Sequence, residues 1–268
     1  MDNILGYYLM PHIPEIIDEI ADSNMQRLKK TSEACEEIGK EISKIQPETI
    51  VILSPHGNLR ENFFTISMGE YIYGNFKEFK NVDISFVVKL DNIFSRGVID
   101  YFESNSINYT VNDSESKNYK LDHGSMVPLY FINKNYRNYE LVTINTSIID
   151  SNRLFEFGKA IRKISEIQGK KIVVIASCDI ANNEEFKTIH NESYKTRSNI
   201  RGSNIIDNIK VMENSTFKID KFKEFQKYNI IYMPFMLGVL DEREVRGKFL
   251  SYEKKINNIY ALIKLETN

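Results

Sequence analysis

The chain has no tryptophan, only 2 cysteines, and just 12 glycines and 6 prolines in 268 residues. Two thiols, Cys35 and Cys178, cannot build a disulfide framework, so the reducing cytoplasm is the expected compartment. So little glycine and proline excludes a collagenous or linker-rich chain. Charge of one sign is lacking too: 35 basic side chains against 37 acidic ones leave a net charge of -2. No global field draws such a chain onto a polyanion, and nucleic acid is not an expected partner. The longest apolar runs, Ile172 to Ala176 and Ile230 to Leu240, fall short of the roughly 20 residues that cross a bilayer, so no membrane span is expected. Ile4 to Met10 is preceded by Asp2 rather than a basic cluster and does not read as a signal peptide.

What is present is an ordinary globular composition, 42% hydrophobic and 27% charged, in which strand-like and helix-like segments alternate. Ile4 to Met10 reads as the first strand, and Ala21 to Lys44 as an amphipathic helix on Leu28, Cys35, Ile38 and Ile42. Thr49 to Leu53 and Lys171 to Ala176 are continuous apolar, largely β-branched runs, the signature of strands buried on both faces of a parallel sheet. Phe63 to Met68, Ile84 to Leu90 and Glu140 to Asn145 supply further strands. Helices are expected at 93–102, 124–132 and 152–167, with two or three more before Asp241. Tyr109 to Lys120 reads as irregular loop, 182–202 as a polar lid or insertion, and 244–264 as a terminal hairpin. No repeat or linker divides the chain. The expectation is one α/β domain over 1–268, a three-layer α/β/α sandwich around a mostly parallel, mixed sheet. The apolar face around Tyr232, Phe235 and Met236 suits core, with a homodimer surface as its other use.

Chemistry concentrates on the histidines. His12, in Met10-Pro11-His12-Ile13-Pro14, and His56, in Leu53-Ser54-Pro55-His56-Gly57, each sit just beyond a strand's C-terminal end, where open α/β sheets place their ligands. Prolines stiffen both segments. Two neutral imidazoles there suit a divalent transition metal, and a carboxylate would complete a two-histidine, one-carboxylate site for non-haem Fe(II). His123, in Leu121-Asp122-His123-Gly124-Ser125, opens a helix whose N-terminus favours an anionic group. His190 lies in the polar 182–202 stretch and reads as a surface residue.

These segments, with Val127-Pro128-Leu129, Ser177-Cys178-Asp179, Leu237-Gly238-Val239-Leu240 and Leu250-Ser251-Tyr252-Glu253, resemble the class III extradiol ring-cleavage dioxygenase superfamily, in its LigB-like and Memo-like branches. The likeness runs through nearly the whole chain. It implies an α/β/α sandwich with a mixed sheet, Fe(II), metal ligands at His12 and His56, and a substrate- or oxygen-contacting role for His123; Zn(II) is the other ion that two imidazoles suit, and no nucleotide cofactor is expected. The likeness also implies a catechol-like small-molecule ligand and oxidoreductase activity on a vicinal diol. Two positions break the pattern. The histidine that serves the family as acid and base is replaced by Asn182, whose amide takes no proton near neutral pH. The family's glutamate ligand, counted back without gaps from Leu237, falls on Lys227. An ammonium facing a dication at 4 Å would be repelled by ~8 kcal/mol at an effective dielectric of 20. Glu224, three residues earlier on the same helix face, is the carboxylate that could complete the site. Those breaks motivate a second reading, a catalytically inactive, metal-free scaffold that binds a small ligand or partner protein; a third, a hydrolase with water on a Zn(II) held by His12 and His56, suffers equally from the missing third ligand.

Overall fold

The structure, a computed structural model, describes residues 2–21, 28–57, 60–80, 82–115, 120–146, 149–179, 232–241, 245–255 and 258–267. The apolar runs form the strands β1 (Ile4–Met10), β2 (Thr49–Ser54), β3 (Phe64–Met68), β4 (Tyr71–Asn75), β5 (Ser85–Lys89), β6 (Tyr109–Asp113), β7 (Glu140–Thr146), β8 (Ile172–Ser177), β9 (Val245–Lys255) and β10 (Asn258–Thr267). The described helices are α1 (Lys29–Ile45), α2 (Asn92–Ser104), α3 (His123–Asn133), α4 (Ser151–Gln168) and α5 (Met233–Leu240).

Eight strands make one sheet in the order β6-β3-β7-β2-β8-β1-β10-β9. Its centre, β7-β2-β8-β1, is parallel throughout, and antiparallel pairing begins at β3 on one side and β10 on the other. The alternation of strand side chains builds two cores. Tyr7, Leu9, Val51, Leu53, Val174 and Ala176 pack with α2, α4 and α5 on one face. Tyr8, Met10, Ile50, Ile52, Val173 and Ile175 pack with α1 and α3 on the other. A period of two on every central strand, apolar on both faces, therefore dictates a three-layer sandwich. Tyr232, Phe235 and Met236 belong to the first core, so that face is interior.

Two readings of the sequence need correction. Tyr109–Asp113 is not loop but an edge strand parallel to β3, with Thr110 Oγ1 2.9 Å from Thr65 Oγ1. Its residues are polar because an edge strand buries little, which is why its pattern is weak. The strand near 84–90 is not a strand of the main sheet: β5 pairs with β4, a strand not anticipated, in a separate antiparallel hairpin that among the described residues is bridged to β7 only at the single parallel pair Leu90–Leu141. That hairpin is laid on α3. The Leu121 N–H donates to the Tyr73 carbonyl at 2.7 Å, and at Gly74 any side chain would collide with Met126 and Leu121. The terminal hairpin, β9 with β10, forms as expected.

Candidate metal centre

Because β1, β8 and β2 are adjacent and parallel, the residues that leave their C-terminal ends meet at one edge of the sheet. His12 follows β1, Asp179 follows β8 and His56 follows β2. The ladder continues one step past β8, with the Cys178 N–H donating to the Met10 carbonyl at 2.9 Å. This places Asp179 opposite the His12 backbone, whose N–H donates to Asp179 Oδ1 at 3.3 Å. Gly57, at φ 97, turns the chain sharply after His56, and the Asn145 amide fills the space a Cβ would take.

α3 brings the third imidazole. Its N-cap, Asp122, accepts the Ser125 N–H at 3.1 Å, which is ordinary capping. The same carboxylate also accepts the Ser54 hydroxyl at 2.5 Å and the Asn145 amide at 2.8 Å, while Ser177 Oγ donates to the Gly124 carbonyl at 2.6 Å. Three central strands thus grip the first turn of α3. Gly124 permits this closeness: a Cβ there would strike the Ser54 hydroxyl and come within 3.2 Å of the His56 ring.

The result is a cluster of His12, His56 and His123 whose ligating atoms all lie within 4.8 Å of one another. Nε2 of His12 and Nε2 of His56 face each other at 2.9 Å. The His56 and His123 rings are 3.9 Å apart between centroids, and those of His12 and His123 5.8 Å. Burial, and then the neighbouring imidazole His123, push the pKa of His12 down to about 3; burial, then His12 and His123, push that of His56 down to about 3 as well. Both rings are therefore neutral across the physiological range, and only one of the two facing nitrogens can carry a proton. The donor set fits a divalent transition metal. The buried Nδ1 of His12 has no hydrogen-bond partner among the described residues, so that ring lacks the outer bond that usually fixes a ligating imidazole.

Asp179, in Ser177-Cys178-Asp179, is a carboxylate at the cluster to which no sequence pattern assigns a role. Its Oδ2 lies 3.7 Å from His12 Nε2, and burial raises its pKa to about 7. Its signal was its place, directly after the most apolar strand. Cys178 is buried in the core, where desolvation and then Asp179 raise its pKa, so it is a packing thiol rather than a thiolate donor. Asn182, His190, Glu224 and Lys227 lie outside the described residues.

The family profile described as the catalytic LigB subunit of aromatic ring-opening dioxygenase matches residues 6–262. Protein CA_C1420 of Clostridium acetobutylicum is 29% identical over 269 aligned positions, which cover 97% of this chain and 57% of that protein. This chain thus spans little more than half the length of that curated relative. Among solved structures, uncharacterized protein JW3007 from Escherichia coli K12 superposes with a TM-score of 0.60 at 13% identity, over 97% of this chain and 98% of the other. At that identity the likeness is one of fold.

Proposed function

Because this chain belongs to the LigB family of ring-opening dioxygenase catalytic subunits, we propose that its histidine cluster is a metal centre serving oxidation of a small vicinal diol. The observation that carries the reading is the pair of neutral imidazoles whose Nε2 atoms converge to 2.9 Å, with His123 beside them. His12 and His56 are the ligands, with Fe(II) the ion expected of an oxidoreductase and Zn(II) the alternative. When bound, Fe(II) would supply a Lewis acid able to chelate both diol oxygens and a one-electron couple for oxygen chemistry. His123, at the N-terminus of α3, orients the diol by hydrogen bonding to its oxygen. Asp122 holds that helix end in place. Glu224 is proposed as the third ligand, with Asp179 as its competitor for that role. The two buried, unpaired cysteines accord with a reducing cytoplasm, where Fe(II) is retained. Among the described residues, no helix is long and apolar enough to cross a membrane.

The test is metal content after anaerobic incubation with Fe(II) or Zn(II) and desalting. The wild type should retain near one equivalent, and the His12→Ala/His56→Ala double variant none. Glu224→Gln and Asp179→Asn, measured alongside, identify the carboxylate by which of them lowers retention. A second reading rests on Asn182, which stands where the family places its acid/base histidine. It makes the protein a metal-free scaffold that uses the cleft for binding, and a folded wild type that retains neither ion would favour it.

A further inference from the structure

Phe79 is an unusual phenylalanine: 40% exposed, on a turn, yet its ring centroid is 5.1 Å from that of His123 in an edge-on arrangement. Its ring also meets that of buried Phe76 edge-on at 6.1 Å, so one part of it packs inward while the rest stays open beside His123. The turn that carries it is firmly built. The Phe79 and Lys80 N–H groups both donate to the Phe76 carbonyl, at 3.0 and 3.2 Å, and Phe76 itself is fully buried. Lys80 Nζ donates to the Ala21 carbonyl at 3.3 Å, tying the turn to the segment that follows His12. The β4–β5 hairpin behind it is seated on α3 through the Tyr73 carbonyl and Gly74. Phe79 is therefore fixed in relation to the cluster from two sides, with an exposed ring surface.

We propose that Phe79 is the specificity-determining aromatic wall of the site, packing against the ring of a planar aromatic diol held at the histidines. Aromatic pairs gain most at centroid separations of 4.5 to 7 Å, in offset or edge-on geometry. The His123 ring already stands 5.1 Å from Phe79, inside that range, and a ligand ring held on the Phe79 side of His123 would share that contact. An aliphatic chelator with the same oxygens gains little from it. The inference rests on the metal-centre reading and adds to it the residue that packs against the ligand's ring.

The experiment uses this chain loaded with Zn(II), with 4-nitrocatechol followed by its visible absorbance and acetohydroxamate as a non-aromatic chelator followed by competition. Phe79→Ala should weaken 4-nitrocatechol binding about tenfold while leaving Zn(II) affinity and acetohydroxamate binding within twofold of wild type. Phe79→Trp should restore 4-nitrocatechol binding to within threefold. It also introduces the chain's only indole, whose emission should be quenched as 4-nitrocatechol binds. Unchanged 4-nitrocatechol affinity in Phe79→Ala, or equal weakening of both chelators and Zn(II), would overturn the inference and leave Phe79 as a support for His123. An unquenched indole with 4-nitrocatechol bound would overturn it as well. If the wild type takes up no Zn(II), the metal-centre reading itself falls, an outcome distinct from these.

Discussion

At the scale of single residues, Asp122 carries more of the site than its capping position suggests. One oxygen accepts the Ser54 hydroxyl and the Ser125 N–H, and the other accepts the Asn145 amide at 2.8 Å and the Ser125 hydroxyl at 3.1 Å. Ser54 Oγ in turn accepts the His56 N–H at 3.2 Å, so one carboxylate fixes the backbone next to two of the three imidazoles. Losing an N-cap costs about 1 kcal/mol, and each buried donor left without an acceptor a further ~1 to 3 kcal/mol. The Ser125 hydroxyl keeps Thr143 at 3.1 Å, which leaves the Ser54 hydroxyl and the Asn145 amide, so Asp122→Ala should lower unfolding free energy by at least about 3 kcal/mol, read by urea denaturation. Loss of outer-sphere support should also weaken Zn(II) binding by roughly 10- to 100-fold. Asp122→Asn keeps the cap and should recover most of the stability but less of the metal affinity. An alanine variant with wild-type stability would show that the network is dispensable. The sequence marks Asp122 as a helix cap; nothing in it marks Ser54 and Asn145, 68 and 23 residues away, as its partners.

At the scale of elements, the pairing of α4 with α5 shows what sequence patterning conveys and what it omits. Both helices are legible, α4 from its apolar stripe and α5 from a run buried along its full length. Their contact is not, because it depends on two glycines 80 residues apart. A Cβ on Gly158 would run into the Phe235 carbonyl and stand 2.7 Å from the Val239 nitrogen; one on Gly238 would hit the Phe155 carbonyl and lie 3.1 Å from Gly158 Cα. The backbones touch, and neither can retreat without opening the core around Phe157 and Phe235. Helix propensity favours alanine over glycine by about 1 kcal/mol, so Gly158→Ala is a contest between local gain and interhelical collision. Overpacking in an interior costs about 1 to 3 kcal/mol, and more when backbone is the obstacle, so the collision wins. Net destabilisation of about 2 kcal/mol should appear in urea denaturation, and a neutral or stabilising effect would sink the tight-packing account. Strands divide the same way: β2 and β8, buried on both faces, are plain in the sequence, while β4 and β6, at or beyond the sheet's margin, show too little apolar pattern to be seen.

At the scale of the whole molecule, the sheet has two chemically different ends. The C-terminal ends of its parallel strands gather the histidines, and the opposite end gathers an ionic cluster. There Asp91, 1% exposed, caps α2 through the Phe94 N–H at 3.0 Å, accepts the Thr49 hydroxyl at 2.6 Å and pairs with Lys170 at 2.6 Å; Lys170 also reaches Glu140 at 3.3 Å. Burial alone would raise the Asp91 pKa, but the bonds from Lys170, Thr49 and the Phe94 N–H outweigh it, and the carboxyl ends below its ordinary value. A group with a lower pKa when folded than when unfolded stabilises the fold above its unfolded pKa, near 3.9, and that stability is lost as pH falls through the folded value. Asp91→Asn keeps a cap and an acceptor for Thr49 but removes the charge facing Lys170. Lys170 is part-exposed and retains Glu140, so the expected cost at pH 7 is about 2 kcal/mol, below that of breaking a fully buried pair. His12 and His56, kept neutral when folded, add their own loss of stability below pH 6.5, but equally in both proteins. The difference between wild type and variant thus isolates Asp91. Urea midpoints at pH 7, 5, 4 and 3 should show that difference constant down to about pH 5 and shrinking below pH 4. A gap that stays the same to pH 3 would mean the Asp91–Lys170 pair is structurally present but electrostatically inert.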